Sequence, residues 1–221
     1  EEIETSYKLT LQQALEEIEI LQGNTDRKVV YAHHKFVEPM LDYIVSDFEN
    51  ARIAMNESSI GGMVVCDSAD QAKKMYEIFQ SKYAQKSDST LLMAAEPQMG
   101  YGEQKKEQSK VTSAEVILHD VGTKQERKEF VEDFKEGKID LLFVYNMLLT
   151  GFDAKRLKKL YIGRVIKAHN LLQTLTRVNR TYKDFKYGYV VDFADIQKEF
   201  DKTNREYFNE LKAKIPVTAI A

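Results

Sequence analysis

"TKQERKEFVEDFKEGKIDLLFVYNMLLTGFDAKRLKKLYI", residues 123–162, contains one full period of the pattern that organises this chain. Thr123 precedes an amphipathic run that Gly137 closes, the start and stop signals of a helix. "IDLLFVY" (139–145) follows as a short, continuously apolar segment, and after a loop "KKLYI" (158–162) is another. Strands apolar on both faces, alternating with amphipathic helices, belong to a parallel sheet covered on both sides.

The rhythm extends in both directions. "GGMVVC" (61–66) is a buried strand behind a glycine pair, and "SADQAKKMYEIFQSKYA" (68–84) a helix with Ser68 as its N-cap. "AEVILH" (114–119) and "YGYVVDF" (187–193) read as strands, and "HNLLQTLTRVN" (169–179) as a helix. Upstream, "TLQQALEEIEILQGN" is a helix with Thr10 and Gln13 as a capping box and Gly23 as its stop. Residues 28–56 are helical too, with Pro39 at a start or kink, and 195–212 form a last amphipathic helix. The expected organisation is a helical lead-in over 1–56, an α/β domain over 57–195 and the start of a C-terminal helical region over 196–221. The polar stretch 85–113 is a surface insertion in the α/β domain.

Composition narrows the class. Of 221 residues, 43% are hydrophobic and 30% charged, the balance of a globular domain. No apolar run approaches the ~20 residues of a membrane span. The single cysteine, Cys66, excludes an internal disulfide framework and fits a reducing cytoplasm. Four histidines without cysteine companions give no structural zinc pattern, and no metal ligands are assigned. The chain opens on Glu1 and closes on "KAKIPVTAIA" directly after a helical pattern, which reads as a piece of a longer protein. The net charge of −3 is not that of a general nucleic-acid coat. Yet between Ala154 and Lys183 nine Lys or Arg occur with no Asp or Glu, which implies a local positive field. For Lys155 to Lys159 alone, a solvated face is an equal reading.

Parallel sheets carry their working loops at the carboxyl ends of strands. Those loops here are Cys66–Ser68, His119–Gly122, Asn146–Asp153 and the approach to helix 169–180. In "QTLTRVNR" (173–180), Gln173, Arg177 and Arg180 are spaced four and three apart, so on a helix they share a narrow arc. Leu171, Leu172, Leu175 and Val178 take the opposite side. With almost nothing acidic nearby, the arginines are aimed outward as a set.

"YNMLLTGFD" (145–153) followed by "QTLTRVNR", about twenty residues apart across one strand, resembles motifs V and VI of superfamily 2 helicases and translocases. "MVVCDSADQAKKMYEIF" stands where motif IV would be. More narrowly, "NMLLTGFDAKRLKKLYIGRVIKAHNLLQTLTRVNRTYKDFKYGYVVDF" is similar to the R subunit of type I restriction-modification enzymes. Lys155 stands where that family's pattern has proline. The resemblance implies an α/β, RecA-like parallel sheet with helices on both faces, the second motor domain of an ATP-dependent DNA translocase and endonuclease. It implies that Arg180 is the arginine finger, that Arg177 holds phosphates or the interdomain contact, and that Gln173 couples them. Asp153 would lie near the ribose, with Gly151 allowing close backbone approach. Asn146, Thr150, Lys155 and Arg156, with Cys66, Asp67 and Ser68 of motif IV, would face the DNA backbone. A finger is worth about 10³–10⁵-fold in rate, and an outward arginine pair on an apolar-backed helix is a suitable mount for one.

Two elements such a motor needs are missing. No G-x-x-x-x-G-K-[ST] loop occurs to cradle phosphates or hold Mg²⁺, and no acidic D-E-x-x box to polarise the water. ATP and Mg²⁺ would therefore be bound mainly by a first motor domain elsewhere in the parent, and this piece alone is expected to be inactive. Asp120 with Asp133 and Lys135 mimics a nuclease spacing, but the latter two fall on a helical pattern and read as a decoy. The implied partners are double-stranded DNA, the first motor domain, and the modification and specificity subunits. The alternatives are another superfamily 2 motor, a type III restriction subunit, or a non-catalytic RecA-like module that only binds.

Overall fold

The computed structural model describes residues 31–84, 109–149, 151–166 and 168–194, with the main chain alone at 168 and 169. The helices expected over 10–23 and 195–212, most of the 85–113 insertion and Thr150 lie outside these residues.

Each strand turns alternate side chains to opposite faces, and both faces are apolar, so both require a cover. The elements run α1 (His34–Met55), β1 (Gly61–Val65), α2 (Ala69–Lys82), β2 (Ala114–Ile117), α3 (Lys124–Glu136), β3 (Leu141–Val144), β4 (Leu157–Ile162), α4 (Ala168–Thr176) and β5 (Tyr189–Asp192). The strands form one parallel sheet in the order β2-β3-β1-β4-β5. Val64 of β1 lies between Phe143 of β3 and Tyr161 of β4.

One face packs under α1 and α2. Phe36, Met40, Ile44 and Phe48 of α1 and Met75 and Phe79 of α2 share a core with Val64, Cys66, Val116, Phe143 and Tyr161. The other face packs under α3 and α4, where Phe134, Leu171 and Val178 meet Met63, Val65, Leu142, Val144, Leu160 and Ile162. Helix α1 is therefore part of the sheet's own core, although it falls within the segment 1–56 set apart as a lead-in. Pro39 lies inside it rather than at its start.

The local signals act as their chemistry dictates. Ser68 caps α2 through the N–H of Gln71. Thr123 and Glu126 form a reciprocal capping box on α3, and Gly137 ends that helix at φ 92°.

Helix α4 differs from its expected extent. It ends at Thr176, and Arg177 to Arg180 continue in tight turns, with the N–H groups of Arg177 and Asn179 donating to Thr174 O and Thr176 O. Arg177 and Arg180 are therefore not on a helical stripe with Gln173. The carbonyls of Val178 and Arg180, beyond the end of the helix, accept from the Lys158 ammonium on β4, so the turn that follows α4 is capped by a side chain from the sheet.

The amino-terminal edge of the sheet is closed by two buried arginines. Arg52 of α1 donates to Asp140 Oδ1 at 2.5 Å, to Ile60 O at 2.9 Å and to Lys110 O at 3.0 Å. Arg156, 3% exposed, donates to Ser59 O, Phe134 O, Ile139 O and Ile60 O at 2.6–3.3 Å. Asp140 Oδ2 accepts in turn from the N–H groups of Thr112 and Ser113.

Candidate functional site

The structure separates the residues singled out by sequence into two places. An α-helix that follows a parallel strand runs back along the sheet, so α4 begins near the carboxyl end of β4 and delivers its last residues to the amino-terminal end. Lys158, the second residue of β4, marks that position by holding Val178 O and Arg180 O.

The first place joins the end of "LLTGFDA" to the end of "QTLTRVNR". The Arg177 guanidinium donates to Phe152 O, and Arg180 forms an ion pair with Asp153. The stretch does have an acidic neighbour, then, brought there by the fold. Gly151 sits between, at φ 73°, which a side chain would strain, and no atom lies within 4 Å of where a Cβ would stand. Main chain is thus open to close approach at Gly151. Thr174 is buried beneath, its hydroxyl donating to Asn170 O at 2.7 Å and lying 3.5 Å from Leu149 O, the alternative acceptor in the loop that α4 packs against. Gln173, on the last full turn of α4, is half-buried.

Arg177 has its pKa lowered, first by burial and then by the Arg180 charge beside it, with Asp153 opposing both. A guanidinium remains protonated through such a shift. Its Nε is buried without a hydrogen-bond partner. Arg180 is 40% exposed and Asp153 57% exposed. This arrangement can meet an oxyanion from one side with two guanidinium groups, one of them carrying an unused N–H.

The second place is the carboxyl edge. Asp67 and Ser68 follow β1, and the Asp67 N–H donates to Gln71 Oε1 at 2.6 Å. The Arg164 guanidinium, just past β4, donates to Tyr145 O at 3.2 Å and Asn146 Oδ1 at 2.9 Å and lies 4.7 Å from the Tyr145 ring centroid. Asn146 is exposed.

Two of the DNA-facing assignments do not fit this geometry. Cys66 is fully buried, its N–H donates to Val144 O in the sheet, and burial pushes its thiol far up, so neither group faces solvent. Arg156 is enclosed at the opposite edge, and burial lowers its pKa to about 10. Of the basic stretch 155–159, Lys155 alone is exposed. Lys158 is buried on the α3/α4 face, and Lys159 is buried on the other face against Asp47 at 2.6 Å. Position on a strand covered from both sides decides this, and a count of charges in a window does not see it. The nuclease-like residues are engaged elsewhere: Asp120 pairs with Lys73, Asp133 with Lys138 and Lys135 with Glu132, the last four on or beside α3.

Sequence reasoning missed Arg164 and Lys158 as site residues. A cation immediately after a buried strand was a usable signal for the first. For the second, the signal was a lysine inside a strand whose two faces both had to be covered.

Residues 95–195 match a protein-family model described as type I restriction enzyme subunit R domain 3. The type I restriction enzyme SauCOLORF180P endonuclease subunit of Staphylococcus aureus (strain COL) is 41% identical over 81 residues, 36% of this chain and 9% of that protein. The putative type I restriction enzyme MjaIXP endonuclease subunit of Methanocaldococcus jannaschii is 35% identical over 94 residues, 42% of this chain and 9% of that protein. The matched part thus spans 9% of the length of either relative. Among solved structures, T4 UvsW superposes with a TM-score of 0.50 at 14% identity, over 88% of this chain and 37% of that one, a likeness of fold. Among the described residues no helix is long and apolar enough to cross a membrane.

Proposed function

From the premise that residues 95–195 belong with the R subunits of type I restriction enzymes, we propose that this chain is the second RecA-like motor domain of such a subunit. The whole subunit pumps double-stranded DNA at the expense of ATP and cuts it, in a cytoplasmic complex with modification and specificity subunits. This domain supplies the arginine finger and part of the duplex track.

The observation that carries the reading is the meeting of Arg177 and Arg180 with Gly151 and Asp153 at one solvent-open place, well away from the carboxyl edge. ATP fits the donor set there. Two guanidinium groups suit phosphate oxygens, and the partnerless Nε of Arg177 offers a further N–H. Arg180 and Arg177 would hold the terminal phosphates across the domain gap. Asp153 would serve the ribose, Gly151 would admit the nucleotide against main chain, and Gln173 would link the arginines to the DNA side. When bound, the nucleotide with its Mg²⁺ supplies the transferable phosphoryl group; the metal's ligands come from the first motor domain.

What this chain contributes is preorganised positive charge. In the separate domain Arg180 rests on Asp153. Domain closure offers it a more negative partner, and a guanidinium 40% exposed can turn to it without unfolding its support. At the carboxyl edge, Asp67, Ser68 and Asn146 contribute backbone or polar contacts to duplex phosphates, with Arg164 added from the structure; the resemblance assigns Thr150, and Lys155 on the exposed approach to β4, to the same track. Such contacts are salt-sensitive and blind to sequence.

Arg180→Ala in the full-length protein tests the reading. ATP turnover falls at least about a hundredfold while folding is unharmed, on the magnitude of fingers in related chemistry. Turnover unchanged by that substitution would leave a RecA-like module that binds without catalysing, for which the Arg180–Asp153 pair is simply a surface ion pair.

A further inference from the structure

We propose that Lys158 is a positioning residue for the arginine-bearing segment 177–180, acting through the main-chain carbonyls of Val178 and Arg180; its link to turnover rests on the finger reading above.

Lys158 has no exposed surface, and its partners among the described residues are two carbonyls rather than a carboxylate. Nζ lies 3.3 Å from Val178 O and also donates to Arg180 O. An ammonium ion away from water needs acceptors, and here the acceptors belong to the segment that carries both arginines. Hydrogen bonds from a charged donor are about twice as strong as neutral ones, so the segment is held from inside the sheet. Burial lowers the lysine's pKa, so its charged form is disfavoured by the apolar surroundings and depends on the acceptors it finds there.

The contact is closed from a third side. A Cβ at Gly188 would stand 2.6 Å from Lys158 O and 2.8 Å from Val178 O, so the chain entering β5 lies directly over the place where Lys158 meets the turn. Val178, 1% exposed, anchors the turn to the α3/α4 face of the core between the two arginines. Arg177 and Arg180 thus leave a short turn fixed at Val178 by packing and at two carbonyls by one lysine. Without that lysine both carbonyls lose their buried donor, and the turn is left on its two weak i→i−3 hydrogen bonds.

The test uses Lys158→Met and Lys158→Gln in the full-length protein, each alone and with Arg180→Ala. Hydrogen exchange at the amides of Arg177 and Asn179 reads positioning without reference to ATP. In Lys158→Met it should speed up by about tenfold or more relative to amides of β1 and β3, and by less in Lys158→Gln, which keeps an N–H donor. Steady-state turnover reads the consequence: kcat drops about tenfold or more with a smaller change in KM for ATP. In the Arg180→Ala background Lys158→Met then adds little, because both act through one group. Unchanged exchange at 177 and 179 overturns the positioning role, as does a Lys158→Met effect on kcat that simply multiplies with that of Arg180→Ala. Faster exchange in a protein whose turnover ignores Arg180→Ala would keep the positioning role and sink the finger reading. Should Lys158→Met fail to fold, Lys158→Gln carries both measurements.

Discussion

Arg156 and Arg180 lie 24 positions apart in one basic stretch, and their surroundings have almost nothing in common. Arg156 is enclosed at the amino-terminal edge of the sheet, with four carbonyls accepting from its guanidinium and the Phe134 ring beneath it. Arg180 stands on a turn, 40% exposed, with one carboxylate for company. The first has nearly all its hydrogen-bonding capacity committed to the fold and nothing left for a ligand. The second is held through its main chain by Lys158, which leaves its side chain free to change partners. Charge in a sequence marks both equally; the number and permanence of acceptors separate a structural arginine from one available for function.

The comparison is broken most directly by exchanging the two outcomes. Arg156→Ala should cost more than about 3 kcal/mol of folding stability, since several buried carbonyls lose their donor at once, and urea unfolding will show it. Arg180→Ala should leave the unfolding midpoint within the range of a surface ion pair, about 1 kcal/mol or less, while removing at least about a hundredfold in ATP turnover of the full-length protein. A stable Arg156→Ala, or an unfolded Arg180→Ala, would erase the distinction.

Arg156→Lys sharpens it. An ammonium cannot span four carbonyls that a planar fork reaches, so this conservative change should still cost about 1–3 kcal/mol, read by the same unfolding experiment. Full stability in Arg156→Lys would mean that charge alone, rather than fork geometry, closes that edge.

The smallest expected effect concerns the pair of half-buried Glu57 and exposed Lys183, which ties the turn after the arginines to the α1–β1 connection at 2.6 Å. Burial alone would raise the Glu57 carboxyl; hydrogen bonds from Lys183 and Ser59 more than reverse that and hold it at about 2. A carboxyl depressed in the folded state stabilises at pH above its unfolded value of 4.5, and the contribution is lost as pH falls toward 2. Lys183 is half exposed, so solvent screening keeps the contribution below about 1 kcal/mol. Glu57→Gln should therefore lose that small contribution at pH 7, flatten the fall in stability between pH 4.5 and 2, and differ little from the parent near pH 2; an unaltered pH profile in the variant would remove Glu57 from the account.

Most of the sheet could be read from the chain because its signals are local. Ser68, Thr123 and Gly137 punctuate helices through groups three or four residues away, and the strands are short runs that no amphipathic element could accommodate. The candidate site was legible in its composition and not in its geometry. Gln173, Arg177 and Arg180 have helical spacing, yet the helix ends at Thr176 and the turn beyond it is held by Lys158, remote in sequence, through the carbonyls of Val178 and Arg180. Asp153 could not be seen as Arg180's partner, being 27 residues away across a strand. Cys66 and Arg156 were given to DNA by their neighbours in sequence, whereas the sheet had already buried both.

From sequence alone came the parallel α/β architecture, the chain positions of its strands, and a family resemblance carried by "LLTGFDA" and "QTLTRVNR", because periodicity and short motifs survive in one dimension. Only the tertiary structure decided which cations are walls and which are available. That choice depends on where strands 79 residues apart in sequence lie side by side, as Val64 and Phe143 do, and on which carbonyls that pairing leaves within reach of a buried ammonium or guanidinium group.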